Sequence, residues 1–184
     1  FIIYRNKIKW SLDISEGIDF HIFLFGSFQK ELTFSIFNII KKQKKNFHFF
    51  NIIDVGSNIG DKTLSLTKLL LDHDIKNFKV FSIEPTEYAF NKQIKNVKLN
   101  PKLKKNIFNY QLFISSKKNK PNKIYSSWNL NNNQNRHKIH GGILKSIKQK
   151  TKISSLDKFI IRNKIADKII IKIDVDGFEL DVLK

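Results

Sequence analysis

Hydrophobic and polar positions along residues 47–114 follow the order strand, helix, strand, helix, strand. The continuous apolar run FHFFNIIDV is typical of a strand buried on both faces, and DKTLSLTKLLLDH after it has the amphipathic period of a helix. The segments KVFSIE, TEYAFNKQIKNVKLN and NIFNYQLFI then repeat the alternation. This order predicts an α/β fold in which helices cover a parallel sheet.

Different patterns flank this block. Residues 1–46 are predicted to form a small β/α leader, with β-type runs FIIY, KIKWSLDI and HIFLF followed by a helix over residues 28–45. The main domain is predicted to span residues 47–184, with residues 115–150 as a polar, irregular insertion. Within it, SSLDKFIIRNK predicts a helix capped by Ser154 or Ser155, and KIIIKIDVDGFELDVLK predicts a buried strand running into a helix.

Composition changes this picture little. The chain has 184 residues, the size of one domain, and a formal net charge of +18, which is typical of nucleic-acid-binding proteins. However, 31 of its 34 cationic side chains are lysines, whereas groove and phosphate recognition favours the forked guanidinium of arginine. Lys, Asn, Ile and Phe are abundant together, as an AT-rich genome would produce whatever the function. Nucleic acid is therefore disfavoured as a partner without being excluded.

Some site classes are excluded by composition. The chain has no cysteine, so it forms no disulfide, no thiolate zinc site and no cysteine nucleophile, and cytoplasm is the default location. No apolar run approaches the roughly 20 residues that span a bilayer. Because the chain starts at Phe1 and stops at Lys184 within an amphipathic segment, we expect both ends to be cut and the sheet to be truncated at its C-terminal side. The oligomeric state cannot be derived from these residues.

The loop after the first main strand, DVGSNIGDKT, resembles three ligand-binding motifs to different degrees. A nucleotide-triphosphate loop, G-x-x-x-x-G-K-[ST], would have Lys62 and Thr63 in register, but Asp61 replaces its second glycine. The dinucleotide fingerprint G-x-G-x-x-G would place Asn58 and Asp61 at two of its glycines. In both motifs an acid would face phosphate, which argues against either ligand.

A loop for S-adenosylmethionine fits better, because this methyl donor carries a sulfonium and an ammonium but no phosphate. Asp54 would attract those positive charges, Gly56 would allow a tight turn, Asn58 would tolerate left-handed backbone, and Gly60 would open the following helix. Glu84, 24 residues beyond Gly60, lies near the interval at which an acid binds ribose hydroxyls. The alternatives are that Asp54 is a helix cap or turn former and that Glu84 is a solvent-facing carboxylate.

Three blocks of the chain together resemble the FkbM-type methyltransferases: DVGSNIGDKT, IEPTEYAFNKQIKNVKLN and IKIDVDGFELDVLK. The leader segment WSLDISEGIDFHIFLFGSF also resembles part of that family. The resemblance implies a Rossmann-like, doubly wound, mostly parallel sheet of the class I methyltransferase type, and S-adenosylmethionine-dependent O-methylation of a sugar, glycan or small metabolite. Departures from the family pattern are Asp176 in place of Glu, Ser57 in place of Ala, and Lys92 or Gln93 where an apolar residue is common.

The resemblance also implies roles for individual residues. Those of the donor site would be Asp54, Gly56, Asn58, Gly60 and Glu84. Asp174, Asp176 and Glu179 would lie at the later strand end beside the transferring methyl group, with Glu179 counted among the cofactor-binding residues.

The acids after the last strand can also be interpreted from their chemistry alone. Asp174 and Asp176 are candidate general bases, since the end of a buried strand delivers side chains to the ligand edge of an open sheet. Alternatively, either aspartate caps the helix that begins near Phe178, with Glu179 in its first turn. A calcium loop would need further acids before Gly177, so we expect no metal. In the insertion, His137, His140, Trp128 and Tyr125 are candidates for a lid or acceptor pocket.

One function of another class stays open. A basic nucleic-acid-binding module, or a nucleic-acid methyltransferase, would bind RNA or DNA with a steep dependence on salt concentration.

Overall fold

The computed structural model describes residues 1–117, 121, 123–127, 143–146 and 151–184, with residues 123, 125–127 and 143–146 described by their backbone alone. The strands are β1 (Ile2–Arg5), β2 (Ile8–Ser11), β3 (Phe50–Val55), β4 (Phe78–Ile83), β5 (Ile107–Tyr110), β6 (Leu112–Ile114), β7 (Lys123–Ser127), β8 (Ile143–Ser146), β9 (Lys152–Ser154) and β10 (Lys168–Ile173). The helices are α1 (Gly17–Phe25), α2 (Lys30–Gln43), α3 (Asp61–Asp72), α4 (Glu87–Lys98), α5 (Pro101–Lys104), α6 (Leu156–Arg162) and α7 (Glu179–Leu183).

A four-stranded parallel sheet forms the centre of the molecule, in the order β10-β3-β4-β5. The chain moves from β3 to β4 and β5 in one direction, then returns to place β10 on the other side of β3. The strand order therefore reverses between β3 and β10, and ligands of open α/β sheets bind at such a reversal, outside the carboxyl ends of the strands. The predicted α/β fold with a parallel sheet is confirmed, and it is consistent with a Rossmann-like architecture.

Apolar residues of the sheet separate onto two faces because successive side chains of a strand point in opposite directions. Phe50, Ile52 and Val80 share one core with apolar residues of α2, α3 and the leader. Ile53 and Phe81 belong to a second core, which contains the apolar residues of α6. Helices thus cover both faces, and this explains why β3 is mostly apolar and buried along its whole length.

The leader packs on the first of these cores. Strands β1 and β2 form the predicted antiparallel hairpin. The prediction of a strand at HIFLF is wrong, because these residues lie in α1, where Ile22 is buried and the neighbouring Leu24 and Phe25 are exposed. A short apolar run has no period of its own, and the contacts of Ile18 and Ile22, four residues apart, select the helix. The predicted boundary at residue 46 stays a prediction.

Two asparagines, Asn96 in α4 and Asn100 at the N-cap of α5, attach the leader to the main domain. The Asn96 side chain accepts a hydrogen bond from the Ser11 amide (2.8 Å) and donates one to the Ile59 carbonyl (3.1 Å). Asn100 accepts from the Lys9 amide (2.9 Å) and donates to the Lys9 carbonyl (2.7 Å). Strand β2 is thereby joined to α4 and, through Asn96, to the loop that follows β3.

Residues 107–154 depart from the predicted pattern. The predicted strand NIFNYQLFI is divided at Gln111, because β5 pairs with β4 whereas β6 pairs with β9. The segment predicted as irregular contains the antiparallel pair β7 and β8. The lid candidates His137, His140 and Trp128 lie outside the described residues, and so does the side chain of Tyr125.

The C-terminal part contains the predicted elements, but the prediction that its strand is buried is wrong: β10 lies at the end of the described sheet, and Lys172 is its one buried residue whereas Ile171 is exposed. Ser155 is the N-cap of α6, and its hydroxyl accepts a hydrogen bond from the Lys158 amide at 3.3 Å. Strand β10 pairs with β3 and leads through a short turn into α7. Within the described ranges, none of the helices has both the length and the apolar character needed to cross a bilayer.

Candidate functional site

A cavity of about 250 Å³ opens at the carboxyl ends of β3, β4 and β10, where the strand order reverses. Among the predicted site residues, the ones that line it are Gly56, Asn58, Glu84, Asp174 and Asp176. The other three, Asp54, Gly60 and Glu179, are not among its lining residues. The fold therefore brings together acids that lie 90 or more residues apart in the chain, and it places three predicted residues in the supporting structure.

The loop after β3 uses its backbone amides to hold itself in place. The amides of Gly56 and Ser57 both donate to the Ile83 carbonyl at 3.0 Å. The Asn58 amide donates to Glu84 Oε2 at 3.0 Å, and the Gly60 amide donates to the Ser57 carbonyl at 2.9 Å. A phosphate-binding loop directs such amides at its ligand. Because these four amides are already bonded within the protein, the loop lacks the open cradle that a nucleotide phosphate requires.

Gly56 lies where the backbones that continue β3 and β10 come closest. Its φ is +77°, and a Cβ atom there would lie 1.9 Å from the Asp174 carbonyl oxygen. The predicted need for glycine thus has two causes, the left-handed backbone and the approach of the neighbouring strand end. Asn58 also has left-handed backbone, with φ of 50°, a conformation that asparagine tolerates better than most residues.

Asp54 is buried beneath the loop, with 2% of its surface exposed. Its Oδ2 accepts a hydrogen bond from Thr63 Oγ1 at 2.7 Å, and its Oδ1 lies 3.0 Å from Lys172 Nζ. The buried lysine on β10 already compensates the negative charge of this carboxylate. A direct interaction of Asp54 with a positively charged ligand stays a prediction, and the contacts present make it a support for the loop.

Glu84 follows β4 and reaches the cavity with its carboxylate. Its Oε1 accepts hydrogen bonds from the amide and hydroxyl of Thr86, and its Oε2 accepts the Asn58 amide. Burial raises the pKa of the Glu84 carboxyl, and the hydrogen bonds from Thr86 and Asn58 only partly oppose that effect. Since an ionised carboxylate has about four acceptor positions, capacity remains for a ligand hydroxyl.

The turn after β10 supplies the other two acids. The Asp174 side chain is half exposed and lies 3.5 Å from Lys172 Nζ, and Asp176 has left-handed backbone. The alternative that one of these aspartates caps α7 is wrong, because the N-cap is Phe178 and no side chain caps it. Glu179 accepts hydrogen bonds from the amides of Val175 and Gly177, at 3.1 to 3.3 Å, and so holds the turn that carries Asp176.

Sequence reasoning missed the part of the leader that covers the cavity. Lys62 Nζ donates to the Phe28 carbonyl and to Asp61 Oδ2, which is 2.5 Å away, and Asp61 also accepts the Phe28 amide at 3.2 Å. Burial raises the pKa of Asp61, and Lys62 partly offsets that effect. Phe28, Asp61 and Lys62 all line the cavity. The adjacent acid and base at the start of α3, Asp61 and Lys62, were the only sequence feature that pointed to this contact. Their partner, Phe28, lies more than 30 residues away in the chain.

A buried polar network supports the loop from the side of α4. Gln93 is fully buried, and its amide nitrogen donates to Ser82 Oγ and to Asn109 Oδ1. Its Oε1 accepts the Ser57 hydroxyl at 3.2 Å. Ser57 departs from the FkbM pattern, as does either Lys92 or Gln93, and in the structure Ser57 and Gln93 contact each other.

The lining of the cavity determines the kind of ligand that it suits. Carboxylates of Glu84, Asp174 and Asp176 line it, while Lys62 and Lys172 are engaged by Asp61 and by Asp54 with Asp174, respectively. This balance favours a cation and hydroxyl groups over phosphates. In the described part of the chain, no three His, Asp or Glu residues are grouped so as to hold a metal ion.

Comparison with known proteins gives one family. Residues 54–184 match the family described as Methyltransferase FkbM domain, and the match covers more than two thirds of the chain. No curated protein and no solved structure is significantly similar to the chain.

Proposed function

The chain belongs to the FkbM methyltransferase family and is a methyltransferase, and from this premise we propose that it uses S-adenosylmethionine to methylate a hydroxyl group of a sugar, glycan or small metabolite. Methyltransferases of this family generally use that donor. The observation that carries the proposal is the combination of the Glu84, Asp174 and Asp176 carboxylates in the cavity lining with a loop whose amides are bonded within the protein.

The residues present fit the methyl donor. In this proposal Glu84 accepts the ribose hydroxyls, and the loop from Gly56 to Gly60 forms the surface against which the donor lies. Asp54 acts from beneath through Lys172 and Thr63. When bound, S-adenosylmethionine supplies a methyl group activated by its sulfonium. The carboxylates near the cavity favour that positive charge, because opposite charges attract more strongly where water is excluded.

The acceptor hydroxyl needs orientation and a proton acceptor. We assign the proton to Asp174 or Asp176, whose carboxylates line the same cavity. Glu179 keeps the backbone of their turn in place through the Val175 and Gly177 amides. Phe28 and Ile124 contribute apolar surface to the cavity, which excludes water and favours alignment of the two reactants.

Calorimetric titration of the chain with S-adenosylhomocysteine, ATP and NAD tests the donor assignment. We expect binding of S-adenosylhomocysteine only, with affinity about 10- to 100-fold lower in Glu84→Ala, the size expected for hydrogen bonds to a charged group. Asp74→Asn is the matched control, because Asp74 is exposed and its left-handed backbone accepts asparagine. Tight binding of ATP or NAD would contradict the proposal, and so would an affinity for S-adenosylhomocysteine that is unchanged in Glu84→Ala.

Release of S-adenosylhomocysteine in the presence of a panel of sugars, oligosaccharides and small alcohols tests the acceptor class. With an acceptor found, Asp174→Asn or Asp176→Asn is expected to lower the turnover rate by about 10²- to 10⁴-fold, the usual contribution of a general base. If neither substitution lowers turnover, the base lies elsewhere.

The net charge of +18 favours one other acceptor class, nucleic acid. Binding of RNA and DNA oligonucleotides at about 50 and 200 mM salt distinguishes the classes, because weak, non-specific contacts of surface lysines are lost at the higher salt, whereas a dedicated site still binds there although its affinity falls steeply. Specific binding that survives at the higher salt, with methyl transfer to the oligonucleotide, would replace the sugar or metabolite hydroxyl as acceptor.

A further inference from the structure

Lys172 is a buried lysine at the point where the strand order reverses. It lies on β10 directly beside Asp54 of β3 in the sheet register, and only 6% of its side chain is exposed. Burial of an ammonium group is unfavourable unless other groups compensate its charge and its lost hydrogen bonds to water.

The surroundings of Lys172 provide this compensation. Its Nζ donates a hydrogen bond to the Gly56 carbonyl oxygen at 2.8 Å, and it lies within ion-pair distance of Asp54 Oδ1 (3.0 Å) and Asp174 Oδ2 (3.5 Å). One carbonyl and two carboxylates therefore surround the ammonium group. Burial acts to lower the pKa of Lys172, but Asp54 and Asp174 outweigh it and raise that pKa. The side chain is therefore a fixed positive charge.

The three partners of Lys172 belong to both sides of the cavity. Asp54 belongs to β3 and Gly56 to the loop that follows it, whereas Asp174 belongs to the turn after β10. The backbone joins these segments at one further point, where the Asp174 amide donates to the Val55 carbonyl at 3.1 Å. The side chain of Lys172 therefore contacts both segments at once.

We propose that Lys172 is a positioning residue for methyl transfer, which holds the donor loop at Gly56 and the Asp174 carboxylate at a fixed separation. The inference rests on the proposed function, since it takes the first segment to contact the donor and the second to contact the acceptor. A simpler role would be neutralisation of Asp54 alone. The two roles predict different affinities for S-adenosylhomocysteine when the charges of Asp54 and Lys172 are removed together.

Three variants separate these roles. Lys172→Met removes all three contacts and leaves Asp54 buried without its cation. The double variant Asp54→Asn with Lys172→Met removes that unpaired charge. Gly56 and Asp174 still lack the contact with Lys172 in this variant. Lys172→Arg keeps the positive charge beside Asp54, but a planar guanidinium does not reproduce the three directions of an ammonium group. Lys168→Met is the matched control, because Lys168 lies on the same strand and the same face but outside the cavity lining.

The measurements are thermal unfolding and calorimetric affinity for S-adenosylhomocysteine. We expect Lys172→Met to lose both stability and about 10- to 100-fold in affinity, the size expected for a charge-assisted contact. The double variant should regain stability but not affinity, and Lys172→Arg should stay folded with affinity at least about tenfold lower. Lys168→Met should match the wild type.

Two results would overturn the inference. One is wild-type affinity in the double variant, which would reduce Lys172 to a neutraliser of Asp54. The other is wild-type affinity in Lys172→Arg, which would show that charge alone suffices. Failure of the wild-type chain to bind S-adenosylhomocysteine would instead overturn the proposed function, so the two failures are distinguishable.

Discussion

The two segments that meet at the cavity differ in how firmly they are held. The first segment, residues 54–63, runs from the end of β3 to the start of α3, and its polar side chains Asp54, Ser57, Asp61, Lys62 and Thr63 are all buried. In the turn after β10, residues 174–179, Asp174 is half exposed, and a Cβ added at Gly177 would meet no atom within 4 Å. The first segment is largely buried apart from its contribution to the cavity, and the second is more open to solvent.

This difference suits two kinds of ligand. A donor of constant structure is best bound by a surface that is already in its final geometry, because no ordering is required when it binds. An acceptor that approaches from solvent needs an accessible carboxylate, which Asp174 provides. We expect the first segment to be sensitive to every change of volume or charge, and the second to tolerate changes that leave its acids in place.

The largest expected difference between the segments concerns their glycines. Gly56→Ala should destabilise the protein by about 4 kcal/mol, from about 1–2 kcal/mol for left-handed backbone and about 1–3 kcal/mol for displacing the Asp174 carbonyl. Gly177→Ala, with φ of +97° but open space around it, should lose only the backbone contribution, about 1–2 kcal/mol. Urea unfolding of the two variants and the wild type measures both losses.

Equal losses for the two alanine variants would break the comparison. That outcome would mean that the strand end at Asp174 moves aside without resistance, so the close approach at Gly56 would not be a constraint. Affinity for S-adenosylhomocysteine gives a second readout, and it should fall in Gly56→Ala and change little in Gly177→Ala.

The sequence predicted the parts of this site that depend on local pattern. The period of apolar residues indicated β3 and α3, and the order of strands and helices indicated that the loops after β3, β4 and β10 would share an edge. Gly56 was recognisable because a tight turn between strand and helix commonly requires glycine. Glu84 was recognisable because an acid at the end of the second strand has a place in such folds.

The parts that the sequence did not reveal depend on contacts between distant residues. An interaction of Asp54 with the ligand stays a prediction, but Lys172 beside it was not foreseen, because the register of β10 against β3 is not a property of either segment alone. Lys62 was considered as part of a phosphate motif, whereas its partner is the Phe28 carbonyl of the leader. HIFLF was predicted as a strand because its five residues do not reveal that Ile18 and Ile22 face the core together.

A smaller difference is expected between the lysines that support each segment. Lys62→Met leaves Asp61 buried without its cation and should destabilise the protein by about 2–3 kcal/mol, somewhat less than a typical broken buried pair because Asp61 can take up a proton. Lys117 forms an ion pair with Asp181 of α7, but its side chain is 66% exposed, so Lys117→Met should change stability by no more than about 0.5 kcal/mol. Thermal unfolding at neutral pH measures both.

The double variant Asp61→Asn with Lys62→Met is the control for this prediction, and it should regain part of the lost stability. A loss in Lys117→Met as large as that in Lys62→Met would show that the second segment is held as firmly as the first. The contrast between packed and open segments would then be wrong.

The smallest expected effect concerns Glu84, which joins the packed loop through the Asn58 amide. In Glu84→Gln one carboxylate oxygen is replaced by an NH₂ group, which faces a backbone N–H group that donates to Glu84 in the wild type. Two donors then oppose each other, so near pH 4 the variant should be about 1 kcal/mol less stable than the wild type. Because burial raises the pKa of Glu84, the folded state holds its proton more tightly than the unfolded chain does, and ionisation of Glu84 lowers wild-type stability as pH rises. The glutamine variant has no such ionisation, so its deficit should shrink from about pH 4.3 upwards.

Urea unfolding at intervals between about pH 4 and pH 8 measures that deficit, with Glu31→Gln on the exposed surface of α2 as the correction for losing one negative charge. A deficit that grows with pH would mean that the hydrogen bonds from Thr86 and Asn58 favour the carboxylate more than burial disfavours it. The packed loop would then be stabilised by the charge of Glu84. A shrinking deficit would mean that the loop holds this charge at the expense of stability, as expected if the carboxylate is there to accept hydroxyl groups of a ligand.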